Sequence, residues 1–394
     1  MSSATPFRPP FYMMTKPIGA ICNLRCDYCY YLEKKNLYPD VRNYLMSDEL
    51  LERFIKQYLE SNSAPEVFFT WHGGETMMRN ISFYEKAIEL QKKYGKGRRI
   101  ENSLQTNGTL FTDEWCRFFK QNNFLIGISV DGPQHCHDIY RRDIKGRPSF
   151  FKVMEGVSLL KKHRVDFNIM GVVNDYNVDY PLEFYNFFKS IECTFIQFSP
   201  IVEVIDGKPA PWNVPSEKWG DFLISIFDEW IKKDVGTYYV QYFDSTLANW
   251  VGQNPGMCTL AKICGNAGVI EFNGDVYSCD HFVYPKYKLG NIQDKTIAEM
   301  MYSKEQSKFG TDKYDTLPKQ CLDCKYLFAC YGECPKNRIV KTHDGNSGLN
   351  YLCKGYYKFF NHVAPYMDFM KNELKNQRAP ANIMHSNLVK KGGS

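Results

Sequence analysis

The chain has 394 residues, a formal net charge of +5 and fourteen cysteines. Its basic residues are interspersed with acidic ones rather than gathered in one stripe, so no nucleic-acid-binding surface is expected. No stretch approaches the ~18 uncharged apolar residues of a membrane span, and the first twenty residues lack the apolar core of a secretory signal. A cytoplasmic location follows, where so many cysteines are typical of metal or cluster ligands rather than of disulfides.

Up to about residue 240, short apolar runs alternate with longer amphipathic ones. Residues 47–61 form the clearest helix, since Ser47 can cap it and its apolar residues share one face; a second helix, 81–94, stops at Gly95. The predicted strands are 11–16, 66–71, 100–106, 124–130, 165–173 and 194–200. Alternating strands and helices with buried strands predict a parallel sheet. We expect an α/β fold, a partial (β/α)6 TIM-like barrel over residues 1–250.

The first unusual motif follows the first predicted strand. Cys22, Cys26 and Cys29 have the spacing C-x3-C-x2-C. Four thiolates normally hold a 4Fe-4S cluster, so three would leave one iron with an open position. A zinc half-site or a disulfide cluster would also use closely spaced thiols.

Distinctive residues then recur where predicted strands end, which is where chemistry lies in such barrels. Gly73-Gly74-Glu75 follows the second strand, Gln105-Thr106-Asn107-Gly108 ends the third, and Ser129-Val130-Asp131-Gly132-Pro133 ends the fourth. Adjacent glycines let backbone approach a ligand, and an acid can hold an ammonium group. Each motif by itself is also ordinary turn chemistry.

The three-cysteine loop with its aromatic residue before the third cysteine resembles the signature of the radical S-adenosylmethionine (SAM) enzymes, which cleave SAM to a 5'-deoxyadenosyl radical. The resemblance implies SAM-binding residues: Tyr28 for the adenine, Gly73, Gly74 and Glu75 for the methionine end, Ser129 for the ribose and Arg141 for the carboxylate. Thr76 stands where this family usually has proline after the glutamate.

The cysteines resume in a second cluster of motifs beyond residue 250. These are Cys258, Cys264, Cys279, Cys321, Cys324, Cys330, Cys334 and Cys353. With the first three they make the eleven thiols that one open and two fully ligated 4Fe-4S clusters require. A structural zinc ion on the four cysteines from 321 to 334 is the alternative. Cys116, Cys136 and Cys193 are isolated and are expected to be packed thiols.

This C-terminal pattern resembles the SPASM extension of peptide-modifying radical SAM enzymes. The resemblance implies two auxiliary clusters, one on Cys258, Cys264, Cys279 and Cys334 and the other on Cys321, Cys324, Cys330 and Cys353. We therefore expect a small cysteine-rich SPASM domain with helices at residues 251–376, with a β-hairpin turning at Asn273-Gly274-Asp275. The tail, 377–394, is predicted to be poorly ordered.

The whole chain resembles most closely the anaerobic sulfatase-maturating enzymes. That resemblance implies oxidation of a cysteine or serine in an unfolded or nascent sulfatase polypeptide to Cα-formylglycine, with hydrogen abstraction from Cβ and three 4Fe-4S clusters plus SAM as cofactors. Asp280 is then the candidate base, and Tyr31 is placed near the substrate. Ferredoxin or flavodoxin is the implied electron donor.

Two other functions stay open at this point. Another SPASM enzyme could form thioether or carbon–carbon crosslinks in a peptide, and an iron–sulfur or zinc carrier would cleave no SAM. Substrate contacts from Gln197, Tyr242 or Asp244 are possible. The favoured interpretation of residues 201–250 is structural, a loop at 201–214 followed by a helix at 216–233 that packs over the barrel.

Overall fold

A computed structural model describes residues 9–391 of the chain. Its strands are β1 Tyr12–Lys16, β2 Glu66–Trp71, β3 Arg99–Thr106, β4 Leu125–Ser129, β5 Phe167–Val173, β6 Phe195–Pro200, β7 Val204–Ile205, β8 Lys208–Pro209, β9 Tyr239–Val240, β10 Ala267–Glu271, β11 Asp275–Tyr277, β12 Lys288–Asn291, β13 Val340–Lys341 and β14 Ser347–Leu349. Strands β1 to β6 lie side by side in chain order, all parallel. The predicted α/β fold class is therefore confirmed.

Helices connect these strands and pack on the sheet. They are α1 Asp48–Ser61, α2 Ile81–Gly95, α3 Asp113–Gln121, α4 Gln134–Tyr140, α5 Phe150–His163, α6 Pro181–Ser190, α7 Ser216–Lys233, α8 Gln241–Trp250, α9 Ile297–Met301, α10 Lys304–Asp315, α11 Lys319–Leu322, α12 Leu327–Cys330, α13 Cys353–Lys375 and α14 Asn387–Lys391. Short 3₁₀ helices cover Leu32–Leu37, Thr76–Met78, Asn177–Asp179, Asp280–Phe282, Pro285–Tyr287, Pro335–Asn337 and Pro380–His385. As predicted, Ser47 caps α1 by accepting the N–H of Leu50, and Phe54 and Tyr58 on its apolar face are buried.

The sheet continues across the predicted domain boundary at residue 250. Strand β10 pairs in parallel with β1, and the predicted hairpin then adds β11 and β12 antiparallel to it. At the opposite edge, β9 pairs with β6. The apolar residues Val269 and Ile270 of β10 are fully buried, so this strand completes the core and covers the edge of β1. The cysteine-rich segment thus shares one sheet with the barrel.

The C-terminal segment is more ordered than we predicted. Residues Pro380–His385 form a 3₁₀ helix, α14 follows, and Ile383 is fully buried. The carboxylate of Glu373 accepts hydrogen bonds from Arg378 and Asn382. The prediction of a poorly ordered tail is wrong for residues 377–391, because the few apolar side chains of this segment pack against the core. Residues 392–394 lie outside the described part of the chain.

Helix α13 fixes the C-terminal region on the barrel by packing against α7. A Cβ atom on Gly220 would lie 2.7 Å from the carbonyl oxygen of Gly355, so the two backbones meet where side chains are missing. Among the helices formed by residues 9–391, none combines the length and apolar character needed to cross a bilayer.

Candidate active site

A cavity of about 530 Å³ runs along the parallel strands to their carboxyl ends. Most of the residues singled out from the sequence line it: Cys22, Cys26, Tyr28, Cys29, Tyr31, Gly73, Gly74, Ser129, Arg141, Gln197, Tyr242, Asp280 and Cys334. Residues separated by up to three hundred positions therefore meet in one place, as the rule of strand ends predicts.

The glycine pair after β2 packs against the segment that leads into the three-cysteine loop. The N–H groups of Gly74 and Glu75 donate to the carbonyl oxygens of Gly19 and Ile21, both at 2.8 Å. A Cβ atom on Gly74 would lie 1.9 Å from the oxygen of Ile21. Glycine is required here by this contact between two backbones, which positions Cys22 beside the Gly-Gly loop.

Glu75 is the one residue of the predicted SAM-binding set that does not line the cavity. Its side chain is fully buried, and its carboxylate accepts hydrogen bonds from the Thr106 hydroxyl at 2.7 Å and from the backbone N–H groups of Asn107 and Met77 at 2.8 and 3.0 Å. Among the described residues that line the cavity, Glu75 is absent. Burial raises the pKa of Glu75 and these hydrogen bonds oppose the rise. The Glu75 side chain thus joins the loops after β2 and β3, and its contact with SAM stays a prediction.

The predicted SAM-binding residues Tyr28 and Arg141 form a buried trio with Asp131. The Tyr28 hydroxyl donates to the Asp131 carboxylate and accepts from Nη1 of Arg141 at 2.9 Å. The Arg141 Nε is buried and has no hydrogen-bond partner among the described residues. An unsatisfied guanidinium nitrogen beside a cavity fits an anionic ligand group, as the predicted carboxylate contact requires. The sequence identified Asp131 only as part of a turn and missed its contact with Tyr28.

Ser129 and the residues near it complete the expected SAM pocket. Its hydroxyl accepts a hydrogen bond from the Gln105 amide at 3.0 Å, and both side chains line the cavity. The hydroxyl is thus held by β3 while it stays accessible, which suits contact with a ribose.

Asp280 lies in the cavity and is held by two neighbours. The Lys16 Nζ is 2.5 Å from its Oδ1, and the Tyr30 hydroxyl donates to its Oδ2. Burial by itself would raise the pKa of Asp280, but the charge of Lys16 and its hydrogen bond to the carboxylate hold that pKa well below its usual range. A carboxylate has room for about four hydrogen bonds, so this ionised group retains capacity for a substrate donor.

Lys16 is a site residue that the sequence analysis missed. Its side chain is fully buried and its ammonium lies 4.2 Å from the centre of the Tyr31 ring. Tyr31 in turn donates a hydrogen bond to Glu271, whose pKa burial raises to about 7. The rule of strand ends could have found Lys16, because it is the last residue of β1.

Electrostatic interactions link thiols within each of the three predicted sets, although the sets themselves stay predictions. Within the first, Cys29 and Cys22 each raise the pKa of the Cys26 thiol. In the second set, Cys258 and Cys264 raise the pKa of the Cys279 thiol. The pKa of the Cys334 thiol is raised by Cys279 and Cys258. In the last group, Cys353 and Cys321 raise the pKa of Cys330, and Cys321 and Cys324 that of Cys353. Burial is the largest cause for each of these thiols, and the mutual effects add to it.

The zinc alternative, an ion on the four cysteines from 321 to 334, has no preformed site among the described residues. Among residues 9–391, no three His, Cys, Asp or Glu side chains converge closely enough to hold one metal ion. A zinc ion needs four ligands at about 2.0–2.3 Å, whereas the thiolates of a four-iron cluster stand farther apart. The Cys279 thiol is among the groups that raise the pKa of Cys334, which is consistent with the predicted sharing of one cluster by these two residues.

A buried lysine organises the loop that carries Cys258 and Cys264. The ammonium of Lys313, which is 1% exposed, donates to the carbonyl oxygens of Cys258 and Thr259, both at 2.7 Å, and to that of Ala261. Three charge-assisted hydrogen bonds from one side chain fix the backbone of a loop that has little regular structure.

We therefore expect Lys313→Met to release this loop. Methionine preserves much of the side-chain length but leaves three carbonyl groups without their donor, at about 1–3 kcal/mol for each group that stays buried. Thermal unfolding should occur at a clearly lower temperature, and about four irons should be lost on gel filtration. The matched control is Lys308→Met on the exposed face of α10, where an ion pair with Asp312 contributes under about 1 kcal/mol. Equal stability and iron content in the two variants would contradict the role of Lys313.

The remaining predicted residues divide between core, cavity and surroundings. Cys116, Cys136 and Cys193 are buried, as expected of packed thiols. Gln197 and Tyr242 line the main cavity, but Asp244 does not; together with Gln197 it lines a second cavity of about 560 Å³. Contact between Asp244 and a ligand in the main cavity is therefore not supported.

Comparison with known proteins agrees with this geometry. The Radical SAM superfamily matches residues 17–188, and SPASM, an iron-sulfur cluster-binding domain, matches residues 262–325. The serine-type anaerobic sulfatase-maturating enzyme of Bacteroides thetaiotaomicron is 62% identical over an alignment that covers 96% of this chain and 95% of that protein. The chain belongs to the anaerobic sulfatase-maturating enzymes. It is thus a radical SAM enzyme whose cofactors are iron–sulfur clusters and SAM.

Other anaerobic sulfatase-maturating enzymes are more distant. The cysteine-type enzyme of Clostridium perfringens is 33% identical, with 93% of this chain and 100% of that protein covered. A solved structure described as native anSMEcpe with bound AdoMet and Cp18Cys peptide has a TM-score of 0.83 at 32% identity, covering 93% and 100% of the two chains. These findings confirm the family and the fold, whereas the individual ligands and the base stay predictions for this chain.

Proposed function

We propose that this chain oxidises a serine of a sulfatase polypeptide to Cα-formylglycine. The observation that carries the proposal is the ionised carboxylate of Asp280, held by Lys16 in a cavity that also contains the three-cysteine loop. The preference for serine is supported by the higher identity to the serine-type relative, 62% against 33% for the cysteine-type one.

Eleven of the chain's fourteen cysteines are assigned in this proposal to one incomplete and two complete sets of cluster ligands. Cys22, Cys26 and Cys29 would hold the cluster whose open iron binds SAM; the set from Cys258 to Cys334 would hold auxiliary cluster I and the set from Cys321 to Cys353 auxiliary cluster II. When bound, SAM and these clusters supply an acceptor for one hydrogen atom and an acceptor for one electron.

The protein's own part is to hold the target and to receive a proton. A serine CH2–OH becomes an aldehyde by losing a hydrogen atom from Cβ, one electron and the hydroxyl proton. Asp280 is ionised and receives that proton. Lys16 and Tyr30 each bind one of its oxygens, so the carboxylate is fixed before the substrate arrives. Fixed geometry of this kind accounts for a large share of such rate enhancements.

The substrate is proposed to be an unfolded or nascent sulfatase segment, since a side chain must reach the cavity as part of a peptide. The solved relative described with a bound Cp18Cys peptide supports peptide entry. The electron donor, ferredoxin or flavodoxin, and the cytoplasmic location stay predictions.

Mass spectrometry tests this function. Reconstituted enzyme, SAM and dithionite are incubated anaerobically with three peptides that differ only in serine, cysteine or alanine at the target position. We expect the serine peptide to lose about 2 Da and the cysteine peptide about 18 Da, each giving a hydrazine-reactive aldehyde with stoichiometric 5'-deoxyadenosine. The serine peptide should react faster, and the alanine peptide should stay unchanged.

The same samples discriminate the crosslinking alternative. Thioether or carbon–carbon bond formation also removes two hydrogens, but it leaves no aldehyde and joins two residues in the fragment spectra. Crosslinked fragments, or deoxyadenosine without any change of peptide, would overturn the formylglycine assignment. The similarity of this chain to relatives named as sulfatase-maturating enzymes makes crosslinking the less favoured outcome.

A further inference from the structure

His72 occupies a central position in the cavity that neither the sequence analysis nor the proposed mechanism uses. It follows β2 directly, and its backbone N–H donates to the carbonyl oxygen of Thr15 at 2.8 Å, which sets it beside Lys16. Both His72 and Asp280 line the cavity. Lys16 lies close to both, 3.1 Å from the His72 Nδ1 and 2.5 Å from an Asp280 oxygen.

The hydrogen bonds of His72 define its tautomer. Its Nδ1 lies 2.8 Å from the backbone nitrogen of Gly73 and 3.1 Å from the Nζ of Lys16. An amide N–H and an ammonium group can only donate, so Nδ1 is the acceptor of both and carries no proton. Burial, with the charge of Lys16, lowers the pKa of His72 to about 3. The ring is therefore neutral at pH 7, with its one proton on Nε2.

The Nε2–H group is left available to a ligand. Among residues 9–391, no side chain or backbone group forms a hydrogen bond with it. Because it is absent from the buried polar atoms that lack a partner, this unpaired group must be accessible. Its residue lines the cavity, so the group is accessible from there. The Nε2–H donor thus opens into the same space as an acceptor, the Asp280 carboxylate that Lys16 holds.

A donor and an acceptor at one end of a cavity fit a hydroxyl group, which both accepts and donates. We propose that the Nε2–H of His72 donates a hydrogen bond to the Oγ of the target serine while Asp280 accepts the proton of that hydroxyl, which makes His72 a determinant of serine over cysteine specificity. The proposal rests on the proposed function. A thiol sulfur is a weak hydrogen-bond acceptor, so this hydrogen bond favours serine over cysteine. With a cysteine substrate, the Nε2–H of His72 would be left poorly paired, and this cost discriminates against the thiol.

The test compares kcat/KM for matched serine and cysteine peptides between wild type and two variants. His72→Phe removes the donor, whereas His72→Gln retains an acceptor for Gly73 and Lys16 and an N–H donor for the substrate. We expect His72→Phe to lower the serine-to-cysteine ratio of kcat/KM about tenfold or more, with a smaller loss on the cysteine peptide. His72→Gln should restore a large part of that ratio. His343→Phe, an exposed histidine outside the cavity, is the control and should leave the ratio unchanged.

Two readouts show whether the site is intact in each variant. Iron content reports the clusters, and 5'-deoxyadenosine formed without peptide reports SAM cleavage. Equal losses on both peptides, or an unchanged ratio in His72→Phe with iron and SAM cleavage retained, would overturn the role of His72. Failure of the proposed function is distinct, since wild-type enzyme would then convert neither peptide to an aldehyde.

Discussion

The Cys26→Ala variant should contain about eight irons instead of about twelve and should form no 5'-deoxyadenosine. Cys26 is the middle thiol of the three-cysteine loop, and it is largely buried beside Arg141 and the other two thiols. Two thiolates cannot replace three, so the loop would lose its cluster and with it every later step. Iron analysis and chromatography of the reaction products measure the two effects on one sample.

The matched control removes a buried thiol outside the predicted sets. Cys193 is 1% exposed, packs in the core and donates a hydrogen bond to the carbonyl oxygen of Phe195. Its alanine variant should lose about 1 kcal/mol of stability but keep its full iron content and SAM cleavage. A Cys26→Ala protein with twelve irons and normal deoxyadenosine formation would refute the assignment of the first cluster.

The second large effect is expected at Asp280, where asparagine preserves the shape but cannot accept a proton. Formylglycine formation should fall by about 10²–10⁴-fold, the usual contribution of general base catalysis. SAM cleavage should persist, because the residues predicted to bind SAM, such as Tyr28 and Arg141, are not altered. The ratio of deoxyadenosine to aldehyde should therefore rise far above the wild-type value.

Stability has to be measured in the same variant, since Asp280→Asn leaves the buried charge of Lys16 without its partner, a change that costs several kcal/mol. Asp294→Asn, an exposed aspartate on the loop after β12, is the control and should behave as wild type. If Asp280 had only a structural role, iron content and SAM cleavage would fall in parallel with the aldehyde. The uncoupled loss of aldehyde is the result that distinguishes a base.

Much of the fold could be predicted, because the six parallel strands are short apolar runs separated by amphipathic helices. Their observed bounds differ from the predicted ones by two residues at most; β5, for example, begins at Phe167 instead of residue 165. What periodicity could not give is the partner of each sheet edge. The apolar residues of β10 would be the same whether the strand belonged to a separate hairpin or to the sheet of the barrel. Only the tertiary structure shows that β10 pairs with β1.

The C-terminal tail illustrates the same limit. Its composition of small and polar residues predicts poor order, yet a single apolar residue, Ile383, is fully buried and the chain around it is helical. Whether such a residue finds a pocket depends on the surface that α7 and α13 present, and that surface is not encoded locally.

The sequence by itself showed the three-cysteine loop, the eight later cysteines and Asp280 next to Cys279. The division of those cysteines into three ligand sets came from the family resemblance and stays a prediction. Tertiary structure alone brought Lys16 and His72 to that carboxylate. In the parallel register, Lys16 lies opposite Glu271 of β10, and Thr15 opposite Trp71 of β2. Asp280 follows β11, which pairs with β10. A lysine, a histidine and an aspartate that are scattered over more than 260 positions become neighbours through this pairing of four strands, which no local pattern specifies.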